Sequence, residues 1–425
     1  MQHLAEYWID KAEGPDELLV ERGGIDAFNR FAFASDPNLV DLAAYPGEMC
    51  GDEIANIIRS ISKPYGKDLF YRNGGAVTQV NYDRYADAVN LDALSASVNI
   101  RFGLIVRRAD MRTWPTEDIV FKSPETFELD RFQENGLFPS DVVAILHAST
   151  DGLWYFVQSY NYAAWVRKDA VAIGDRQKIM NYRDDPQFLV VTDSKVLTNA
   201  SQRVPAVSEV QLDMGVRLPL SDPGLKPQDF DRQNPSACYA VKLPVRNDDG
   251  TLRLVTALVS TSQDVSHDYL PYTRRNIIQQ AFKFLGEHYG WGHSCNARDC
   301  TGLVSEVYKT LGIYLPRNSE QQGSSPIGSS IRFAPDDAAG DKLAVLECAD
   351  VGDLLYAPGH VMMYLGSVDG QPYVIHDLSG SGCLDEDGKR RDGLIRGVSV
   401  TPLTPVLMSQ QETYFEKLYA VKRIR

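Results

Sequence analysis

No apolar run in this chain approaches the ~20 residues that a helix needs to cross a bilayer. Lys and Arg form no cluster, and the net charge is −14. An acidic chain of this kind is a poor candidate for binding nucleic acid or anionic lipid. The six cysteines (Cys50, Cys238, Cys295, Cys300, Cys348 and Cys383) are scattered and do not read as a disulfide framework. Only Cys295 and Cys300 are near neighbours, and they lack the CxxC spacing of a zinc site. The N-terminus, "MQHLAEYWIDKAEG", has no basic patch followed by an apolar stretch, so no signal peptide is visible. The compartment stays open: the cell envelope if a leader was removed, the cytoplasm otherwise.

What is present is a long chain with ample core. Its 425 residues are 44% hydrophobic, enough for roughly 2–4 domains. Residues 1–95 mix helical and loop signals. "DEIANIIRSIS" spaces its apolar residues as a helix does, and "DPNLVDLAAYPG" ends in a breaker. From about residue 96 short β-branched and aromatic runs take over: "NIRFGLIVRRADMR", "DVVAILHAST", "LWYFVQS" and "AAWVRKDAVAI". "TDGLW" joins two of them as a hairpin turn would. A second series follows in "QFLVVTDSKVL", "SEVQLDMGVRLPL" and "ACYAVKLPVRNDDGTLRLVTALVS", where "NDDG" is the turn signal. The pattern predicts two small β-barrels, over 96–178 and 179–266. Residues 267–425 predict an α+β domain. "TRRNIIQQAFKFLGEHYG" is a helix with Ile277, Ile278, Ala281, Phe282 and Leu285 on one stripe, and "CTGLVSEVYKTLG" is a second, closed by Gly312. Strands follow in "DLLYAPG", "HVMMYLG", "YVIHDLSG" and "YFEKLYAVKRI".

Cys300 opens that second helix, where unsatisfied N–H groups and the helix dipole favour a thiolate. Asp299 opposes this, so a nucleophilic Cys300 needs a further partner. The plain alternative is a small buried thiol. A base and an orienting third group are required. His360 and His376 lie in the strand-rich stretch downstream, and adjacent strands would bring both to one edge. His293 is a rival base in the loop before Cys300. A Cys₂His₂ metal set of Cys295, Cys300, His360 and His376 is formally available, but its thiols are not spaced as a zinc knuckle.

These residues carry a resemblance. "YGWGHSCNARDCTGLV", "LGIYLPRNS", "GDLLYAPGHVMMYLG" and "YVIHDLSG" resemble the motifs of the NlpC/P60 cysteine peptidases. His293 stands for a glycine of the family pattern, Thr301 for a serine, and Met362-Met363 for Gly-Ile. "LIVRRADMRTWPT", "LDRFQENGL", "ILHASTDGLWYFVQS" and "YAAWV" are similar to the bacterial SH3 domain of multidomain members. The resemblance implies a papain-like catalytic domain preceded by two SH3-like barrels and a helical, loop-rich segment. It implies Cys300 as nucleophile, His360 as base and His376 as orienting residue, with no metal and no cofactor. Tyr289 is the implied oxyanion donor beside the Cys300 N–H. Asp299, Thr301 and Tyr162 are implied to hold a free substrate amine, with Trp291 as a pocket wall and Arg317 as an ion-pair partner. The implied substrate is a peptidoglycan-derived peptide of the L-Ala-γ-D-Glu-diamino acid type, cut between D-Glu and the diamino acid. The rival readings are a papain-like amidase or acyltransferase, and a non-catalytic wall-binding protein. Oligomeric state is not legible.

Overall fold

A computed structural model of the chain describes residues 1–221, 233–385 and 387–425. It divides into two compact units. The first comprises Met1–Leu39, Tyr269–Gly290 and Cys295–Arg425; the second comprises Val40–Asp268 and Trp291–Ser294. Residues 1–95 are therefore shared between both units instead of forming a segment of their own.

In the first unit, helices α1 (Ala5–Lys11) and α2 (Arg22–Ser35) come from the chain start. Helix α3 (Arg274–Phe282) begins at Thr273, whose hydroxyl accepts from the Asn276 N–H. Ile277, Ile278 and Ala281 form its buried face. Phe282 and Leu285 are not fully buried, because the helix ends at Phe282 and the turned chain sends Phe284 inward instead. Helix α4 (Cys300–Thr310) stops where Gly312 adopts a φ of 81°, the left-handed conformation that closes a helix without a Cβ clash.

A six-stranded antiparallel sheet follows: β1 (Ser329–Arg332), β2 (Leu354–Ala357), β3 (His360–Val368), β4 (Gln371–Leu384), β5 (Arg390–Pro402) and β6 (Ala420–Arg423), in the order β1-β6-β2-β3-β4-β5. Strand β2 and the first six residues of β3 are buried throughout, so both faces are covered. One face packs on Leu355, Met362, Tyr364, Val374, Leu403, Phe415 and Leu418, and α4 lies against β3. The expected strand in "YFEKLYAVKRI" is confined to Ala420–Arg423; Phe415 and Leu418 instead turn into the core. The sequence reading did not anticipate β5, where Gly397 and a run of charges blur the two-residue period.

The chain start is anchored to this unit by specific contacts. Trp8 is fully buried with its ring 5.4 Å from that of Tyr373. Arg275 grips Asp16 through two hydrogen bonds of 2.5 and 2.8 Å, and Asn29 donates to the Gly312 carbonyl at 2.7 Å. Burying an indole of this size supplies on the order of 3 kcal/mol or more.

The second unit holds a seven-stranded antiparallel sheet. Its order is Val171–Gly174, Arg101–Ile105, Val142–Ala148, Trp154–Gln158, Ala163–Arg167, Ala109–Arg112 and Gln133–Leu137. The hairpin at "TDGLW" is present, with Gly152 at a φ of 65°. Helices Gly51–Ile61 and Gln79–Val89 add Ile54, Ile58, Tyr82 and Tyr85 to its core around Phe102, Trp154 and Trp165. Among the described residues, a second set of strands forms three small sheets around a separate core of Leu189, Val191, Leu212, Leu218, Val241 and Val259. The "NDDG" turn joins Cys238–Arg246 to Leu252–Ser260.

Candidate active site

Asp299 caps α4: its Oδ1 accepts from the Gly302 N–H at 2.9 Å. The same oxygen accepts from the Thr301 hydroxyl at 2.9 Å, and Oδ2 accepts from Arg317 at 2.6 Å. Arg317 also donates to Thr301. All three side chains are buried. Asp299 and Thr301, implied as amine-binding groups, are thus engaged by the helix start and by Arg317, which is the ion-pair partner the sequence suggests.

Cys300 is the first residue of α4 and is buried. Its thiol is pushed up to about 12, first by burial and then by the Asp299 charge. The Val361 N–H opposes this shift without overcoming it. The direction is opposite to the lowered thiol pKa expected from the helix start alone, because burial and the Asp299 charge both favour the neutral thiol.

His360 opens β3 and His376 sits in β4. Met363 lies opposite Ile375, so the register sets His376 across from Met362, one pleat from His360. His360 Nε2 and His376 Nδ1 are 3.0 Å apart. His376 Nε2 lies 3.0 Å from the Thr401 hydroxyl on β5. Burial holds His360 down to about 3, and burial with the neighbouring His360 holds His376 well below the usual imidazole range. Tyr414 covers the pair, its ring centroid 4.7 Å from His360 and 6.1 Å from His376. Cys300 and His360 are not hydrogen-bonded to each other. What links them is Val361, which follows His360 and aims its N–H at the sulfur.

Tyr289 is buried and its backbone bridges Arg298, two residues before Cys300. Burial, then the charges of Cys300 and Asp299, hold its phenol well above 10, so it stays a proton donor. Arg298 is fully buried; it binds Glu287 at 2.6 and 2.8 Å and Glu306 at 2.6 Å. Asp377, next to His376, is fully buried and neither of its oxygens has a hydrogen-bond partner. Burial, then Asp299 and Glu287, push it up to about 9, which keeps it a neutral acid at pH 7.

Three further sequence-derived residues lie in the second unit. Tyr162 donates its hydroxyl to Glu134 at 2.5 Å. Trp291 donates Nε1 to the Gln133 carbonyl at 3.0 Å and carries Arg131 over its ring. His293, the rival base, has its ring edge-on to Phe138, 5.4 Å away, while its carbonyl accepts from Arg108. Gly136 permits that approach, since a Cβ there would meet His293 at 2.8 Å.

Thr401, Tyr414 and Asp377 were missed by the sequence reading. Asp377 had a signal, since it directly follows His376. Thr401 and Tyr414 had none, because they reach the histidines from a strand and a loop more than 20 residues downstream.

Residues 286–389 match the NlpC/P60 family, and residues 120–167 match an SH3 domain of the SH3b1 type. A dipeptidyl-peptidase 6 of Lysinibacillus sphaericus is 32% identical over 94 residues, 22% of this chain and 30% of that protein. A probable endopeptidase of Corynebacterium glutamicum is 34% identical over 115 residues, 27% and 47% of the two chains. A gamma-DL-glutamyl hydrolase of Bacillus subtilis is 47% identical over 49 residues, 11% and 12%. The chain thus spans less than half the length of these curated relatives. In fold, it is similar to an NlpC/P60 endopeptidase from Photobacterium damselae subsp. piscicida, with a TM-score of 0.77 at 16% identity over 99% of this chain and 96% of that one. A Bacillus cereus NlpC/P60 family protein gives 0.50 at 18% identity over 76% and 99%. Both likenesses are of fold.

Proposed function

The chain carries an NlpC/P60 domain and an SH3b-type SH3 domain, and from that premise we propose that it is a cysteine peptidase acting on peptides of bacterial peptidoglycan. The observation that carries the reading is the buried His360–His376 pair at 3.0 Å beside a cysteine that starts a helix. With Nε2 of His360 directed at His376, Nδ1 is the nitrogen left to act as base. It takes the thiol proton as the Cys300 sulfur attacks the scissile carbonyl. The oxyanion that forms is met by the Cys300 N–H and the Tyr289 phenol. The C–N bond then breaks, His360 returns the proton to the leaving amine, and a thioester remains. Water attacks the thioester with His360 again accepting a proton, and the acid leaves as the thiol reforms.

The bond we propose is that between the γ-carboxyl of D-Glu and an L-diamino acid. The family resemblance supports it, as does the name of the Bacillus subtilis relative. We propose that a free N-terminal L-Ala is required, with Tyr162 and Trp291 in the roles that the resemblance implies. Asp299 then contributes its fixed negative field, its hydrogen-bonding positions being already filled. Residues 179–266 are proposed as a second SH3-like barrel, on the strength of their separate core.

Mass spectrometry of products from L-Ala-γ-D-Glu-meso-diaminopimelate and its N-acetylated form tests this. Free diaminopimelate from the first alone is the expected result. Equal cleavage of both removes the free-amine requirement, and full activity in Cys300→Ala removes the mechanism. Binding to insoluble peptidoglycan with no turnover favours the adhesive alternative.

A further inference from the structure

Thr401, His376 and His360 form one buried line: Thr401 Oγ1, His376 Nε2, His376 Nδ1, His360 Nε2, with 3.0 Å at each hydrogen bond. All three side chains are buried. A neutral imidazole has one N–H and one lone pair, so the line has two consistent proton arrangements. In the first, the Thr401 oxygen accepts from His376 Nε2–H. His376 Nδ1 is then a lone pair and accepts from His360 Nε2–H, which leaves His360 Nδ1 bare and basic. In the second, Thr401 donates to His376 Nε2. His376 Nδ1–H then points at His360 Nε2, and the His360 proton sits on Nδ1, where it blocks base action.

We propose that Thr401 is a positioning residue that sets the protons of the histidine pair, by accepting from His376 Nε2–H so that His360 Nδ1 is left free to deprotonate Cys300. The proposal rests on the reading of Cys300 as nucleophile and His360 as base. Its physical basis is that a buried N–H without an acceptor is less well tolerated than a buried lone pair without a donor. Without an acceptor at position 401, His376 therefore moves its proton to Nδ1 and forces the blocked form on His360. A hydroxyl is suited to this task because it orients the ring without adding charge. A carboxylate there would favour an imidazolium in a site where burial keeps both histidines neutral. During the reaction the thiol proton moves from sulfur to His360 Nδ1. The Nε2–H stays where it is, and Thr401 neither takes nor gives a proton.

The test uses the full chain with ¹⁵N-labelled histidine, of which there are seven. Two-bond ¹H–¹⁵N spectra at neutral pH report which nitrogen of each ring is protonated. The expected wild-type spectrum has His360 protonated on Nε2 alone. Thr401→Val moves the proton to Nδ1 and lowers kcat on the order of 10–100-fold with KM unchanged, as losses of orienting partners do. Thr401→Ser restores both. If Thr401→Val does not fold, Thr401→Ala gives the same reading. A Val or Ala variant with the wild-type tautomer overturns the proposal, as does a loss of kcat that Thr401→Ser shares. If the wild type cleaves no peptide, the peptidase reading fails, while the tautomer spectra still decide the role of Thr401.

Discussion

The ring of Tyr414 lies over that of His360, with centroids 4.7 Å apart and planes at 41°. This cover is part of the burial that holds the imidazole down to about 3. The ring is therefore neutral, and available for its proposed role as base, across the whole neutral range and well into acid. The acid limb of kcat/KM in the wild type is expected well below pH 6.5, the ordinary imidazole value. Tyr414→Ser admits water to one face of the ring and moves that limb upward, toward the ordinary value, whereas Tyr414→Phe leaves it in place. An acid limb identical in all three proteins would show that Tyr414 does not govern the base.

Cys300 rests as a thiol. With its pKa pushed up to about 12, almost no thiolate is present at pH 7, and in the proposed mechanism the proton leaves only as the carbonyl is attacked. Brief treatment with iodoacetamide is expected to label exposed Cys295 before buried Cys300. Peptide mapping checks this. Rapid, preferential labelling of Cys300 would mean a preformed thiolate–imidazolium pair instead.

Asp377 makes stability depend on pH in an unusual direction. In the folded protein it keeps its proton to about pH 9, while the unfolded group loses it near 3.8. Its contribution is full below about 3.8 and declines as pH rises toward about 9. Asp377→Asn has no such proton to lose. Its Tm is expected to gain on the wild type between about pH 5 and pH 8, measured by thermal unfolding. A constant difference over that range would mean that Asp377 is already ionised.

The Asp299–Arg317 pair is buried on both sides. Arg317→Ala leaves the carboxylate without its main counter-charge, and a loss of about 3–5 kcal/mol is expected in urea unfolding. Asp299→Asn added to Arg317→Ala recovers part of it, because the orphaned charge is gone. A double variant weaker than the sum of the single ones would contradict that coupling.

The helix at Cys300, its Gly312 stop, and strands β2, β3 and β4 were legible because local rules govern them: a cap, a left-handed glycine and short buried apolar runs. The pairing of His360 with His376 was also legible, since two sequential strands commonly lie side by side. What surrounds them was not. Thr401 and Tyr414 are brought in by β5 and the loop after it, and nothing in "VSVTP" or "QETYFEK" points to a histidine. The direction of the Cys300 shift is not legible in sequence for a related reason. The helix start can be read in one dimension, whereas desolvation is a sum over the whole fold. In sequence, residues 1–39 join 40–95 as one segment, because Trp8 gives no hint there that it will lie against Tyr373.

That last contact has a consequence for synthesis. Tyr373 is made some 365 residues after Trp8, with all of the β-rich unit between them. The β-rich unit, most of it one continuous stretch, has its partners at hand as it emerges. The unit that holds Cys300 has to wait for β6, which follows the β-rich unit, before its sheet closes. Order of appearance therefore completes the histidine pair, and any hydrolytic power it lends the thiol, only after the whole of the β-rich unit has been made.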